Sequence, residues 1–349
     1  MKTSTLCRKA LLATAIGFFA ASAMAQPAND RPAVSSYAKP IAYPNANEAA
    51  VAQHFNKARK IAGSDLYTFF DTLCIQDQVY RQRTNGAQYE GLIPSQRVFD
   101  NLYYVGQMSV SAWAVKTRDG IILIDALNNA DEAREIIVRG MMDVGLDPKD
   151  IKYVIITHSH GDHYGGAQYF KDTYGAKLVA SAEDWDVMGK PTNFDRIRKF
   201  DSAPKKGPDD LTVGDGQTLS LGGEVIHFAL TPAHTPGTLS LYFKVTDNGV
   251  SHIAGLYGGI GMPRTDELKQ LQLKSMTHWM DVAKAAHVDA QIGNHPLHFN
   301  GPARLDLLKY RQPAATNPFV LGNATYERFM DLQRECVKLS LARDGISSP

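Results

Sequence analysis

The residues best suited to chemistry are crowded into segment 157–163, which reads THSHGDH. It follows the apolar, β-branched run Ile151–Thr157, which predicts a buried central strand. If His158 and His160 lie on extended backbone, their two-residue spacing points both rings to the same side. Asp162 and His163 follow at the start of the next helix. Because imidazole nitrogens and carboxylate oxygens are typical zinc ligands, the segment predicts a metal site at the end of a strand.

The pattern His-x-His-x-Asp-His after an apolar strand resembles the hallmark of the metallo-β-lactamase superfamily. Three later segments are similar to that family: GIILID at 120–125, PAHTPG at 232–237 and GNHP at 293–296. The resemblance covers most of the chain from Leu102 onward. It implies an α/β fold, the αββα four-layer sandwich, with an N-terminal helical extension in this chain.

The resemblance also implies a cofactor of two zinc ions with a defined set of ligands. The first zinc would be held by three histidines, and the second by one aspartate and two histidines: His158, His160 and His234; Asp162, His163 and His295. Asp125 would orient a ligating histidine. His298 is a rival for His295, which is preferred because it directly follows the predicted strand at 290–293.

The segment after the His234 loop separates branches of the family. Residues 253–259, IAGLYGG, contain neither the bridging aspartate nor the cysteine found in many members. The chain therefore resembles the third subclass of metallo-β-lactamases, whose second site is built from Asp, His and His. Serines that bind the β-lactam carboxylate in that subclass are replaced here by Gly255 and Tyr257. Tyr257 is therefore the predicted substrate contact, and Trp185 and Phe194 are further candidates for lining the cleft.

The function implied is a zinc-dependent, β-lactamase-like hydrolase that cleaves a cyclic amide with zinc-bound hydroxide. Asp162 would act in catalysis as well as in binding, by orienting the nucleophile. The substrate is expected to be a small molecule. Two alternatives remain open: a hydrolase of the same fold acting on an ester, a lactone or another amide, and a non-catalytic metal-binding protein.

The first 25 residues are typical of a bacterial signal peptide. Lys2, Arg8 and Lys9 precede a short apolar run, and Ala23-Met24-Ala25 offers a cleavage site. The run is short for a bilayer span, although an uncleaved anchor is the alternative. We therefore expect a periplasmic or secreted protein without stable membrane insertion. Cleavage leaves 34 basic and 36 acidic residues, a net charge of −2, which does not favour nucleic acid as a partner.

The organisation predicted from these patterns is a signal peptide at 1–25, a leader and helical extension at 26–96, and a catalytic domain at 97–349. Helical spacing predicts helices between Asn47 and Gln76, near 131–144, and again near 268–287, 302–310 and 325–342. Strands are predicted within 102–124 and 217–256, with a hairpin turn at 247–249. After cleavage Cys74 and Cys336 remain, and either a disulfide or two buried thiols is possible. The oligomeric state is left open.

Overall fold

The computed structural model describes residues 34–80, 91–188, 190 and 203–348. The predicted signal peptide and Phe194 lie outside these residues. The chain divides into two units, 1–39 and 40–349, and the described part of the first contains the single-turn 3₁₀-helix Val34–Ser36. The second unit contains both sheets and every other helix of the described residues. Among the described residues, no helix is long and apolar enough to cross a membrane.

The first sheet has seven strands in sequential order, antiparallel from β1 to β4 and parallel from β4 to β7. Strand β4 is buried along its whole length, as expected of a central strand with helices on one face and a second sheet on the other. The strands are β1 Gln96–Arg97, β2 Leu102–Tyr104, β3 Trp113–Lys116, β4 Ile121–Ile124, β5 Ile151–Ile155, β6 Lys177–Ser181 and β7 Leu211–Val213.

The second sheet has five strands in the order β12-β11-β10-β9-β8, and only the β11–β12 pair is parallel. A two-residue turn joins β10 to β11, with Asn248 at φ 52° and Gly249 at φ 82°. These left-handed values are those of the predicted hairpin turn. The strands are β8 Thr218–Leu221, β9 Glu224–Leu230, β10 Leu239–Asp247, β11 Val250–Leu256 and β12 Ala290–Ile292.

The helices form the two outer layers. They are α1 Glu48–Ala62, α2 Tyr67–Phe70, α3 Asp77–Val79, α4 Ala130–Glu132, α5 Arg139–Asp143, α6 Gly161–Tyr164, α7 Ala167–Tyr174, α8 Ala182–Val187, α9 Asp266–Ala285, α10 Gly301–Lys309 and α11 Asn323–Arg343. π-Helical stretches connect α2 to α3 (Asp71–Gln76) and α4 to α5 (Ala133–Val138).

Three apolar clusters hold the four layers together, and their composition confirms the predicted αββα sandwich. The central cluster lies between the sheets and includes Trp113, Phe228 and Phe243. A second joins the helices on the outer side of the first sheet, and a third joins α1, α9 and α11 to the second sheet. Full burial of one such side chain contributes about 1.5–3 kcal/mol, so the interfaces outweigh local helix propensity.

The predicted helices between Asn47 and Gln76 are present and pack on the C-terminal helix. The Asn47 side chain caps α1 by accepting from Ala50 N, while the Asn47 backbone N–H donates to Ala342 O. A disulfide joins Cys74 to Cys336, so of the two possibilities for these cysteines the structure contains the bridge. The boundary at residue 97 stays a prediction; residues from 40 onward form one unit.

Two details differ from the sequence-based expectation. Within the stretch 102–124, where strands are predicted, residues 105–112 form a turn, so β3 begins only at Trp113. In this turn Ser111 N donates to Asn294 O instead of to a neighbouring strand. Strands β1 and β7 were not predicted. They contain two and three residues, too few for an alternating pattern to emerge.

Candidate metal centre

The candidate ligands lie beyond the carboxyl ends of β5, β9 and β12, on three loops and on the first turn of α6. Strand β5 ends at Ile155, so His158 and His160 follow the strand instead of lying on it, although His160 has extended backbone (φ −85°, ψ 146°). The chain leaves the first sheet here: Ile156 N still donates to Val179 O in β6, but Thr157 O accepts from Leu239 N in the second sheet. The loop therefore spans the open edge between the two sheets.

The first group of candidate ligands consists of His158, His160 and His234. Their ring centroids are 4.6–4.9 Å apart, and one nitrogen from each ring lies within 4.8 Å of the other two. The His158 side chain is buried. Its Nδ1 lies 3.2 Å from Thr157 Oγ1, and its Nε2 has no hydrogen-bond partner among the described residues. A buried, unsatisfied nitrogen is costly unless a ligand engages it, so this atom fits a metal position.

The second group consists of Asp162, His163 and His295. Asp162 and His163 lie on the first turn of α6, as predicted, and His295 follows β12. The two histidine Nε2 atoms are 3.2 Å apart, and Asp162 Oδ2 lies 3.6 Å from His163 Nε2 and 3.9 Å from His295 Nε2. The rings of His158 and His163 are 3.9 Å apart, so the two groups are side by side.

Both histidines of the second group are oriented through their Nδ1 atoms. His163 Nδ1 lies 2.8 Å from Asp125 Oδ2, and His295 Nδ1 lies 2.7 Å from the carbonyl oxygen of Ser109. A histidine whose Nδ1–H donates in this way presents a lone pair at Nε2. The arrangement therefore directs both Nε2 atoms toward one point.

Asp125 is fully buried at the end of β4 and has a left-handed backbone, φ 62°, which aspartate tolerates. Besides its contact with His163, it accepts from Thr157 N and Oγ1 and from Asn294 Nδ2. These contacts are the ones expected of the orienting role predicted for it. Asn294 was not predicted, although its position beside His295 could have drawn attention to it.

Asp184 is a further buried carboxylate at this site, and the sequence did not predict it. It lies in α8 and accepts hydrogen bonds from Ser159, Thr235 and Gly237, which flank the histidines of the first group. Nothing local marks it, because an acidic residue near the start of a helix is ordinarily explained by helix capping.

Burial keeps His158 and His234 of the first group neutral. It lowers the pKa of His158 and of His234 well below the usual range, and the neighbouring histidines lower both values further. Neutral imidazole is the form that binds metal ions. The rival His298 belongs to neither group. Its Nε2 lies 3.8 Å from Asp77 Oδ2, and burial lowers its pKa to about 3.

Tyr257, the predicted substrate contact, is buried in the structure. Its side chain is only 3% exposed, 6.5 Å from the Trp279 ring, and burial raises its pKa above the usual range. In this loop, Gly259 and Gly261 are the glycines that lie against His234; a Cβ at Gly259 would be 2.3 Å from His234 Cβ. Tyr257 as a substrate contact stays a prediction.

Gly255 and Trp185, the other described positions predicted near the substrate, also pack away from the two ligand groups. Gly255 faces the helical layer, where a Cβ would be 2.6 Å from a methyl group of Val288. Trp185 is half-buried and donates its indole N–H to Leu211 O in β7. Both positions are therefore accounted for by packing.

Comparison with known proteins places these features in a family. The model of the metallo-beta-lactamase superfamily matches residues 105–248. The uncharacterized protein YobT of Bacillus subtilis is 30% identical over 177 residues, which cover 48% of this chain and 71% of that protein. The chain belongs to the metallo-beta-lactamase superfamily. A second B. subtilis relative, the probable metallo-hydrolase YqgX, is 27% identical over 164 residues, 46% of this chain and 72% of that protein.

A solved structure of this superfamily extends the likeness beyond the matched segment. Native FEZ-1 metallo-beta-lactamase from Legionella gormanii is 25% identical and superimposes with a TM-score of 0.63, covering 73% of this chain and 98% of that protein. As a superfamily member, the protein is a metallo-hydrolase. It has two groups of side chains able to bind metal ions, one of three histidines and one of an aspartate and two histidines. Its fold implies a small-molecule substrate.

Proposed function

We propose that this protein is an exported dinuclear zinc hydrolase that cleaves a cyclic amide of the β-lactam type. The observation that carries the proposal is the pair of adjacent ligand groups, made of five histidines and one aspartate. Nitrogen and oxygen donors in groups of three suit zinc sites that keep an open coordination position. The unsatisfied, buried Nε2 of His158 supports the same assignment.

Bound zinc would supply a water of lowered pKa and a Lewis acid for the carbonyl oxygen. The protein's own contribution is positional. Asp125 and the carbonyl of Ser109 hold His163 and His295 in fixed orientations. Asp162, a member of the second group on the first turn of α6, would accept a hydrogen bond from an attacking water as well as bind metal. Rigid placement of this kind lowers the entropic cost of reaching the transition state.

The choice of a β-lactam rests on two supports. The ligand set lacks cysteine, and the fold superimposes over nearly the whole of FEZ-1, which is a metallo-beta-lactamase by name.

A different substrate is the second candidate. The loop from Gly255 to Gly261 contains no serine that could bind a β-lactam carboxylate, which favours an ester, a lactone or another amide. A non-catalytic role has less support, because both ligand groups are complete.

Export is proposed from the predicted signal peptide and is supported by the cysteines. A disulfide between Cys74 and Cys336 suits an oxidising compartment such as the periplasm.

The test is hydrolysis by zinc-loaded protein of a panel containing penicillins, cephalosporins, carbapenems, lactones and esters. The metal-stripped protein and the His160→Ala variant are the controls. Zinc-dependent turnover of β-lactams that both controls lose supports the proposal. Turnover of lactones or esters alone replaces it with the second candidate. If zinc binds but nothing in the panel is hydrolysed, the hydrolase assignment fails for these substrate classes.

A further inference from the structure

Asp184 is an unusual helix residue because its carboxylate accepts hydrogen bonds only from residues outside its own helix. It lies near the start of α8, where Ser181 caps the helix by accepting from Asp184 N at 3.1 Å. An acidic residue at this position ordinarily hydrogen-bonds back to the capping residue. Here the side chain is turned away from the helix, and its four donors all belong to other segments.

These donors come from two loops and use both carboxylate oxygens. Oδ2 accepts from Ser159 N at 2.9 Å and from Thr235 Oγ1 at 2.7 Å. Oδ1 accepts from Ser159 Oγ at 3.1 Å and from Gly237 N at 2.8 Å. Asp184 itself is 1% exposed, so these bonds form away from solvent. A buried carboxylate with two donors on each oxygen is close to fully satisfied.

The donors identify what the carboxylate holds. Ser159 stands between His158 and His160, and Thr235 follows His234 directly. One side chain therefore ties the loop carrying two ligands of the first group to the loop carrying the third. Asp125, by comparison, contacts His163 of the second group directly. Besides the candidate ligand Asp162, the centre thus has two buried aspartates, and the hydrogen bonds of Asp184 run to the loops that carry the first group.

Gly237 provides independent support for this arrangement. A Cβ at this position would lie 2.0 Å from Ser181 Oγ and 2.9 Å from Asp184 Cγ. Only glycine lets the His234 loop approach closely enough for Gly237 N to reach the carboxylate.

We propose that Asp184 is the positioning residue of the first metal site, holding His158, His160 and His234 at ligand spacing. The inference rests on the proposed function and deepens it. Residues that orient ligands in this way typically contribute about 10–100-fold to metal affinity. In Asp184→Asn the amide NH₂ would face donors where an acceptor is needed, so the two loops must separate.

The experiment measures zinc affinity by competition with a chromophoric chelator in two backgrounds. His163→Ala leaves only the first group intact, and His158→Ala leaves only the second. Asp184→Asn should weaken the remaining zinc about 10–100-fold in the first background and leave it unchanged in the second. Excess zinc should restore hydrolysis to Asp184→Asn in the otherwise wild-type chain.

Asp210→Asn is the matched control. Asp210 is also a buried carboxylate, accepting from the backbone N–H groups of Leu178 and Gly207, but it touches no ligand loop. This control should leave zinc affinity unchanged in both backgrounds. If Asp184→Asn does not fold, Thr235→Val removes one donor and should give a smaller loss confined to the first site.

The possible outcomes separate the inference from the function. Equal weakening in both backgrounds, or equal effects of Asp184→Asn and Asp210→Asn, would overturn the positioning role while leaving the hydrolase intact. If the wild-type chain and the His163→Ala variant bind no zinc, the proposed function itself fails.

Discussion

At the scale of single residues, the metal centre depends on hydrogen bonds made on the side of each ring that faces away from the site. His163 and His295 are fixed through Nδ1 by Asp125 and by the carbonyl of Ser109. Because these partners accept and cannot donate, the hydrogen must sit on Nδ1, which leaves Nε2 available to a metal. A substitution of His163 or His295 therefore also removes one donor from its orienting partner.

The stoichiometry of the centre is the first prediction. The wild-type chain should hold two zinc ions, and either Asp162→Ala or His163→Ala should empty chiefly the second site, because each removes one of only three ligands. Elemental analysis after gel filtration in metal-free buffer measures this. His298→Ala, whose side chain belongs to neither group, should retain both ions. One tightly held metal in the wild type would contradict the assignment.

Tyr257 leads to a prediction of a small effect. Tyr257→Phe keeps the buried ring and removes only the hydroxyl. Since a neutral hydrogen bond contributes about 0.5–1.5 kcal/mol, kcat/KM should fall at most roughly tenfold. Steady-state kinetics on the best substrate of the panel measure this, and His160→Ala should lose far more. A loss in Tyr257→Phe as large as that in His160→Ala would mean that the hydroxyl has a role beyond one hydrogen bond.

At the scale of elements, the contact between α1 and α11 contains a buried charge. Glu335 on α11 has a side chain only 4% exposed and contacts His54 Nδ1 at 2.5 Å and Lys57 Nζ at 2.8 Å on α1. Burial raises the pKa of Glu335, but the hydrogen bonds from Lys57 and His54 outweigh burial, and the net pKa is lowered. The ionised form is thus more favourable in the folded chain than in the unfolded one.

The consequence is a pH-dependent stability. A carboxyl group whose pKa is lowered by folding stabilises the fold above its unfolded pKa of about 4.5, and this contribution disappears as the pH falls through the lower folded value. Glu335→Gln should reduce the free energy of unfolding by about 2 kcal/mol at pH 7, with the difference shrinking toward pH 3. Urea denaturation across this range measures it. The exposed Glu135→Gln is the control, and a pH-independent difference would contradict the argument.

Elements with strong local patterns were predicted well, and those defined by distant contacts were not. The apolar run that became β5, the Asn248-Gly249 turn and the long helices all carry their signal within a few residues. The loop that carries His158 and His160 shows both cases. Its ligands were predicted from the sequence, but the end of β5 before them depends on Thr157 O accepting from Leu239 N, more than eighty residues away.

The same limit explains which site residues were missed. Asp125 could be found because it ends a strand with a family-like pattern, whereas Asp184 is defined by donors at positions 159, 235 and 237. Tyr257 is predicted from its position in place of a family serine, and the structure buries its ring against the helical layer. The sequence alone does not reveal that Gly259 and Gly261 are the residues of this loop that approach His234.

At the scale of the whole molecule, the disulfide closes a loop between positions 262 residues apart. A crosslink over so long a segment restricts the unfolded chain strongly, so the double variant Cys74→Ser/Cys336→Ser should lose roughly 2–5 kcal/mol of unfolding free energy. Chemical denaturation measures this, and wild-type protein treated with a reductant should match the double variant. Equal stability of the oxidised wild type and the double variant would mean that the bridge contributes nothing to the fold.

The export proposal makes a prediction about mass. If the signal peptide is removed after Ala25, protein recovered from the periplasm should begin at Gln26. Intact-mass spectrometry distinguishes this species from the full chain, and the Ala23→Asp/Ala25→Asp variant, which spoils the cleavage site, should retain the longer mass. A wild-type mass that includes Met1 would rule out cleavage.

The pairing of α1 with α11 also has a consequence for how the chain can be connected. Asn47 N donates to Ala342 O, so the first and last long helices of the described unit meet near its two ends. A short linker could join those ends, and new termini could open at the exposed Asn248-Gly249 turn, which lies between β10 and β11. Such a circularly permuted chain would leave every ligand loop intact, while β11 and β12 would be synthesised before the first sheet.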